Sequence, residues 1–398
     1  MIFSNIDNTF LLKHKKIVNL RAENVSSVLY TFFTHEYLSR NEIIQLTSLS
    51  PSTVSNITSD LMDRGIIKRV GNLGKSTPGR KSDLLSRNSK AFSVASVHFT
   101  PENIRLGIVD LGYNLVDSKN MCFPNNFEEK QTDNVIQELK SLIEKNSGLK
   151  NNSAIGLALP NYPFNNKRII SAFKTAFELP IVHINNVEAM AMCEYYFHLN
   201  KTLHTLVFVY VGTGIGSGVI INGNLYRGIT GKACDLGHIY ITDEPLICRC
   251  KRKGCLETVA SEYSISQKLA RHYNLDPPPV RDDLIQHLSD YIQKEDDFTL
   301  SLIKKAASYL GKGLFNLVSI LDPQEVVITG RMNKLNPFFS NLVEKAYLDH
   351  ARQSSFPIIP LRFIELREDA GLKGTAMFSF MSIFCEAEYM LPVRERKI

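Results

Sequence analysis

Apolar side chains fall at Val25, Val28, Leu29 and Phe32, the i, i+3, i+4, i+7 spacing of one helical face, and predict a helix over Glu23 to Tyr37. Ser39 and Glu42 stand as a Ser-x-x-Glu capping box before Ile43, Ile44 and Leu46, so a short helix begins there. After the turn Thr47-Ser48-Leu49, Ser50 is a natural N-cap with Pro51 at the first helical position, and Gly65 closes a helix running to about Asp63. That helix turns Val54, Ile57 and Leu61 inward and leaves Ser52, Thr53, Ser55, Asn56 and Ser59 outward. Ile66 to Val70 and Asp83 to Leu85 can then pair as a hairpin. Ahead of all this lies an arm of about twenty residues with a basic knot at Lys13, Lys15 and Lys16.

From Phe92 the pattern becomes that of strands: Phe92 to His98, Ile104 to Val109 and a third near Leu115. A helix over Asn134 to Lys145 and a strand at Ala154 to Leu159 follow, then a helix through Met190 to Tyr196. Two β-branched runs, Leu206 to Tyr210 and Val219 to Ile221, flank the glycine-rich turn Val211 to Gly218 and read as strand-turn-strand. Helices over Ser261 to Tyr273 and Thr299 to Leu321 bracket the stiff loop Asp276-Pro277-Pro278-Pro279, and the second feeds a strand at Glu325 to Thr329. No internal repeat stands out.

Short helix, turn, second helix with a small polar face is helix-turn-helix architecture, although a helical packing domain with a solvated face fits the same pattern. Charge separates the two. Residues 1 to 90 hold thirteen Lys/Arg against seven Asp/Glu, and the remaining residues hold 33 of each, so the whole excess of +6 lies in the first quarter. Basic surface confined to one small domain is the footprint of a polyanion partner. The hairpin then reads as the wing of a winged helix, with Lys68, Arg69, Arg80 and Lys81 able to reach phosphate or the minor groove.

At 398 residues the chain exceeds a single-core domain, and two or three are expected. The first residues lack the basic and apolar regions of a signal peptide, and the longest apolar stretch, 205 to 221, is broken by four glycines. Seven cysteines, an odd number, fit a reducing compartment. The expectation is a cytoplasmic protein with no membrane span.

His238, Cys248, Cys250 and Cys255 follow the pattern His-x9-Cys-x-Cys-x4-Cys. One imidazole and three thiolates are the ligand number and softness of a closed, structural zinc site; three buried core cysteines are the alternative. The surrounding stretch, Gly212-Thr213-Gly214-Ile215-Gly216-Ser217-Gly218, Leu225-Tyr226-Arg227-Gly228, Leu236-Gly237-His238, Cys-x-Cys-x3-Gly-Cys-Leu-Glu-Thr and Ala260-Ser261, resembles the signature of the ROK family. The resemblance runs from about Ser39 to Gly374.

That family joins bacterial sugar kinases and sugar-responsive repressors, so the resemblance implies an α/β chain: an N-terminal winged helix-turn-helix followed by a two-lobed actin/hexokinase-like (ribonuclease H-like) domain. The corresponding boundaries are 1–90, 91–200 and 201–398. The resemblance places Ser52, Thr53, Ser55, Asn56 and Ser59 on a recognition helix and assigns Asn185, Asn186, Asp235, His238 and Glu257 to a carbohydrate. The chain departs from the family's kinases at Asp235, where they have glutamate, at Thr329-Gly330-Arg331, where they tend to have a second glycine, and at two places that bear on catalysis. Their glycine-rich first phosphate turn reads His98-Phe99-Thr100-Pro101-Glu102 here, where a proline removes an amide donor and a glutamate repels the anion. Their catalytic aspartate is Asn186, an amide that cannot take the proton. The resemblance therefore implies a regulator with no catalytic residues, taking operator DNA and a small carbohydrate effector, as a homodimer or dimer of dimers. A sugar kinase with an appended DNA-binding module is the alternative, and a helix-turn-helix protein with a vestigial sugar cleft is a third reading.

Overall fold

The structure, a computed structural model, describes residues 8–72, 83–100, 103–123, 128–146, 152–161, 164–198, 203–353 and 357–385. The chain divides into two compact units, residues 1–186 with 371–398, and residues 187–370.

The first unit opens with α1 (Asn8–Thr34), β1 (Leu38–Ser39), α2 (Arg40–Thr47), α3 (Pro51–Asp63), β2 (Ile67–Asn72) and β3 (Asp83–Arg87). The caps form as their residue types require. Ser39 Oγ accepts the Glu42 amide while Glu42 accepts the Ser39 amide, and Ser50 Oγ accepts from Thr53. Ser48 ends α2 in the left-handed region at φ 56°, and Gly65 does the same after α3 at 72°. Val28, Phe32, Ile43, Val54 and Leu61 are all fully buried. The sheet order β1-β3-β2, all antiparallel, completes a winged helix-turn-helix. Two-residue β1 exists only through its pairing with Leu84 and Leu85 and carries no local signal of its own.

A five-stranded sheet follows, in the order β6-β5-β4-β7-β8. β4 (Ser93–Phe99), β5 (Asn103–Asp110) and β6 (Leu115–Cys122) form an antiparallel meander; β7 (Asn152–Leu159) and β8 (Ile181–Asn185) add in parallel on the other side of β4. Central β4 is buried at every position, whereas edge strand β6 is largely exposed. α4 (Thr132–Lys145) lays Val135, Ile136, Leu139 and Leu142 inward, and α5 (Asn166–Ala176) adds Ile169 and Phe173 to the same core. α5 falls where no helix is expected from the sequence alone.

The second unit begins with α6 (Asn186–His198) and repeats the sheet plan. Its order is β11-β10-β9-β12-β13. β9 (Thr205–Val211), β10 (Ile215–Ile221) and β11 (Asn224–Leu225) are antiparallel, and β12 (Glu325–Thr329) and β13 (Leu361–Phe363) run parallel beyond β9. Third, second, first, fourth, fifth is the strand order in both units. This is the duplicated ribonuclease H-like plan, visible in topology where no sequence repeat is. Between the strands lie α7 (Glu257–Ala260), α8 (Glu262–Tyr273), α9 (Arg281–Gln293), α10 (Asp297–Leu321) and α11 (Phe338–Ala351). The stripe Leu302, Ile303, Ala306, Leu310, Leu314 and Leu317 of α10 belongs to one core with Phe339, Val343 and Tyr347 of α11.

The last helix, α12 (Ala370–Cys385), leaves the second unit and joins the first, where Thr375 and Ser379 face Gly156 of β7. The observed division thus differs from the expected 91–200 and 201–398. α6 belongs with the second unit through its ion pairs Glu188–Arg227 and Glu194–Arg362, and α12 belongs with the first. No described helix is long and apolar enough to cross a membrane.

Candidate functional site

α3 presents Ser52, Ser55 and Asn56 exposed and Thr53 and Ser59 half-buried. Ser50 Oγ gathers Ser52 Oγ at 3.0 Å and Thr53 Oγ1 at 2.8 Å, so these two hydroxyls belong to the N-cap, and Ser55 and Asn56 are the positions turned outward one turn further on. Thr58, the buried hydroxyl of this helix, accepts Arg40 Nε at 2.9 Å and so ties α2 to α3. In the wing, Lys68 and Arg69 are exposed, with Arg69 held by Asp83 at 3.3 Å. Arg80 and Lys81 lie outside the described residues.

Of the turn compared above with a phosphate loop, Pro101 and Glu102 also lie outside the described residues, and His98 and Phe99 are strand rather than turn. Thr100 closes the hairpin on itself: its amide and hydroxyl donate to Asn103 O at 2.9 and 2.8 Å. His98 is buried, its Nε2 finds no hydrogen-bond partner among the described residues, and burial, aided by the charge of Arg105, lowers its pKa to about 4.

In the second unit the residues from His238 to Glu257 converge. A 3-10 turn, Leu236–His238, ends β-strand territory and aims the imidazole at the cysteine loop. The loop is folded by the bridges Tyr240–Cys255 and Ile247–Lys253, by Cys248 N donating to Arg252 O, and by Lys251 at φ 70°. Gly254, at φ 76°, leaves no room for a side chain: an added Cβ would lie 2.4 Å from Thr242 O. His238 Nδ1 is 3.4 Å from Cys248 Sγ, Cys250 Sγ is 3.6 Å from Cys255 Sγ, and all four donor atoms lie within 4.8 Å of one another. The set is a cluster able to hold a metal ion, and Nδ1 faces the thiols, which leaves Nε2 on the opposite side of the ring. Burial raises the Cys250 thiol, but hydrogen bonds from Arg252 and the neighbouring thiols outweigh it and bring it to about 7; burial and the Cys250 and Cys248 thiols push Cys255 up to about 12.

Glu257 is the hub between this loop and the glycine-rich turn. Its Oε1 accepts both Arg249 Nε at 3.0 Å and Arg249 Nη2 at 2.7 Å, and its Oε2 accepts the Ile215 amide at 3.1 Å. Arg249, between two of the clustered cysteines, was not singled out by sequence reasoning; no local pattern marks a partner eight residues on. Gly214 is required by the close approach, since a Cβ there would be 2.4 Å from Glu257 Oε2. The turn is braced on its other side by Arg331, which pairs with Glu262 at 2.8 Å and reaches Thr213 Oγ1 at 3.4 Å. Asp235 is half-buried; burial holds its carboxyl above the usual range, His238 pulls it back and Glu257 adds to the rise. Asn185 closes β8 and Asn186 opens α6.

The ROK family model matches residues 129–380. This chain belongs to the ROK family. Among ROK proteins it is 26% identical over 394 residues to a xylose repressor of Caldicellulosiruptor bescii, covering 93% of this chain and 98% of that one. It is 23% identical to the transcriptional dual regulator NagC of Escherichia coli K12, covering 85% and 88%. A solved ROK transcriptional regulator, a homologue of the E. coli MLC protein, superposes with a TM-score of 0.71 at 20% identity over 93% of this chain and 97% of its own. A ROK hexokinase of Thermus thermophilus superposes with a TM-score of 0.61 at 26% identity; 97% of it accounts for 72% of this chain. Coverage thus separates the two branches. The regulator's length accounts for nearly the whole chain, and the kinase's leaves over a quarter unmatched.

Proposed function

We propose that this ROK protein is a DNA-binding transcriptional regulator, most simply a repressor, whose kinase-like units bind a carbohydrate effector without phosphorylating it. The observation that carries the reading is the winged helix-turn-helix, with an exposed polar face on α3 and all of the chain's excess positive charge in residues 1 to 90. Similarity to named repressors over most of the chain supports it. The operator is taken up by Ser52, Thr53, Ser55, Asn56 and Ser59, with Lys68, Arg69, Arg80 and Lys81 on phosphate. The effector is taken up by Asn185, Asn186, Asp235, His238 and Glu257. A homodimer in the cytoplasm completes the reading, because one winged helix reads one half-site.

Two observations favour a sensor over an enzyme. Phosphoryl transfer to a hydroxyl needs anchored phosphates and a base at the acceptor oxygen. Asn186 supplies no base, which costs roughly 10²–10⁴-fold in rate. The Ile215 amide at the glycine-rich turn already donates to Glu257, so an incoming anion meets a carboxylate there.

Zinc is the metal that suits His238, Cys248, Cys250 and Cys255. Tetrahedral coordination with bonds of about 2.3 Å to sulfur and about 2.0–2.1 Å to nitrogen sets edges of about 3.7 Å between sulfurs and about 3.5 Å between sulfur and nitrogen. The 3.6 and 3.4 Å separations match two of those edges, and all four donors lie within 4.8 Å of one another. With four protein ligands such an ion is structural; it would hold the loop that carries Arg249 toward Glu257.

The test is selection of duplexes from a random DNA pool by the full chain, followed by titration of a panel of sugars and sugar phosphates against the selected duplex. One duplex family should be enriched, and one panel member should change its retention and raise thermal stability by about 2.7 kcal/mol at a hundred times its Kd. Enrichment no better than random, or ATP-dependent turnover of any panel sugar, overturns the reading.

A further inference from the structure

The connection between the winged helix and the sheet of the first unit is a built joint. Arg87, the last residue of β3, donates through Nη1 to Phe32 O at 2.7 Å and to Phe33 O at 3.1 Å. These carbonyls lie in the last turn of α1, where a helix has no amides left to satisfy them and where its dipole favours a cation. The same guanidinium lies 4.2 Å over the ring of Tyr113, whose hydroxyl donates to Phe33 O at 3.4 Å. One arginine therefore joins the first helix of the winged domain to the β5–β6 turn of the following sheet.

Tyr113 is held in that turn against its own backbone preference. It is 4% exposed and adopts φ 66°, a region that suits glycine or asparagine and is an outlier for a bulky side chain. Its amide donates to Asp110 O, and the Asp110 carboxylate accepts both the backbone and side-chain amides of Asn114. An aromatic residue kept at such a site points to a use for the ring. Around it, Phe384 of α12 lies 6.2 Å from Phe33 and 5.2 Å from Phe92, and Phe380 lies 6.3 Å from Tyr113. The five residues from 88 to 92 between β3 and β4 are bonded on both sides: Asn88 donates to Ile66 O and, through its side chain, to Gly65 O, while Phe92 O accepts the Leu111 amide.

We propose that Arg87, stacked on Tyr113, is a positioning residue for operator recognition, fixing the winged helix on the sheet so that the sheet sets the direction of α3. This rests on the DNA-binding reading above. It carries a consequence that a flexible tether lacks. Two recognition helices held at a set angle follow only one half-site spacing, because each inserted base pair turns the second site by about 35°. A tethered pair adapts.

The test uses the duplex selected by the wild type, a version with two base pairs inserted between half-sites, and a single half-site, with Arg87→Met, Arg87→Lys and Tyr113→Asn. Asparagine accepts the left-handed backbone, so that variant removes the ring while relieving the turn. The wild type should lose at least tenfold in affinity on insertion. Arg87→Met and Tyr113→Asn should lose less than threefold on insertion, bind the original duplex at least tenfold more weakly than the wild type, and match it within about twofold on the single half-site. Arg87→Lys, which keeps the cation and loses the planar stack, should fall between. Unaltered spacing discrimination in Arg87→Met or Tyr113→Asn overturns the proposal, as does an equal loss on the single half-site. Amide hydrogen exchange tests the joint without DNA: Asn88, Ala91 and Leu111 should exchange at least tenfold faster in both variants, with β7 unchanged. Unchanged exchange overturns the joint; a wild type that selects no duplex, with this exchange pattern present in the variants, overturns the DNA-binding reading and the positioning role with it and leaves the joint standing.

Discussion

Removing the Arg249 guanidinium should destabilise the second unit more than neutralising its partner. Arg249→Ala strips Glu257 Oε1 of both charge-assisted hydrogen bonds and leaves a carboxylate whose side chain is 10% exposed, with the Ile215 amide at Oε2 and the weak Cys248 thiol contact at Oε1, 4.0 Å away, as its side-chain partners among the described residues. Breaking a fully buried pair from one side costs about 3–5 kcal/mol. The Arg249 side chain is itself 26% exposed, so water screens part of the interaction, and about 2–3 kcal/mol is expected. Glu257→Gln keeps one acceptor oxygen for the guanidinium, sets its NH2 against the Ile215 amide so that one hydrogen bond is lost, and leaves no buried charge, for a cost of about 1–2 kcal/mol. The double variant should cost about 1–1.5 kcal/mol, well short of the sum, because the buried charge that makes Arg249→Ala costly is gone. The chain has no tryptophan, so urea unfolding is followed by circular dichroism, with zinc saturating and metal content measured for each variant. Additive costs, or Arg249→Ala milder than Glu257→Gln, would refute the assignment of Glu257 as a charge held in place by the cysteine loop. Gly214→Ala bears on the same pair from the glycine-rich turn: its Cβ would fall 2.4 Å from Glu257 Oε2 and 2.8 Å from Arg249 Nη2, and should disturb both.

Elemental analysis of protein purified without chelator should find one zinc per chain, reduced to below a tenth in Cys250→Ser and in His238→Ala; full occupancy in either variant would remove that residue from the ligand set. Burial keeps His98 neutral in the fold with a pKa of about 4, against about 6.5 unfolded, so its contribution is complete above pH 6.5 and is lost as pH falls toward 4. That loss is about 2 kcal/mol at pH 5, and unfolding free energies from urea melts at pH 7.5 and 5.0 should differ less in His98→Gln than in the wild type by about that amount. Asn56→Ala should relax preference at one base-pair position for a cost of about 1–3 kcal/mol, whereas Lys68→Ala should weaken all duplexes alike and lower the salt slope by about one. Competition binding at two salt concentrations separates the two.

Much of this protein was legible wherever the deciding interactions are short in sequence. The caps of α2 and α3 follow from Ser39 with Glu42 and from Ser50 with Pro51, three residues or fewer apart, and both helices start where those residues place them. β12 runs over Glu325–Thr329 as its apolar run dictates. The cysteine-histidine cluster is likewise local, since a tight loop with Gly254 has few ways to dispose Cys248, Cys250 and Cys255. What escaped was decided by partners distant along the chain. β1 is a strand only because β3 comes back to pair with it. α12 is apolar over most of its surface and shows no stripe; its neighbours lie on β4, β5 and β7, more than two hundred residues earlier. The two sheets share one strand order without sharing residues, because a strand's place is set by which backbone it bonds, and many apolar sequences satisfy the same ladder. Arg249 and Arg87 read as ordinary surface cations until the fold sets a buried carboxylate against one and two helix-end carbonyls with a tyrosine ring against the other. A guanidinium is flexible enough to leave no trace of its partner in the sequence, and only the packed chain chooses it.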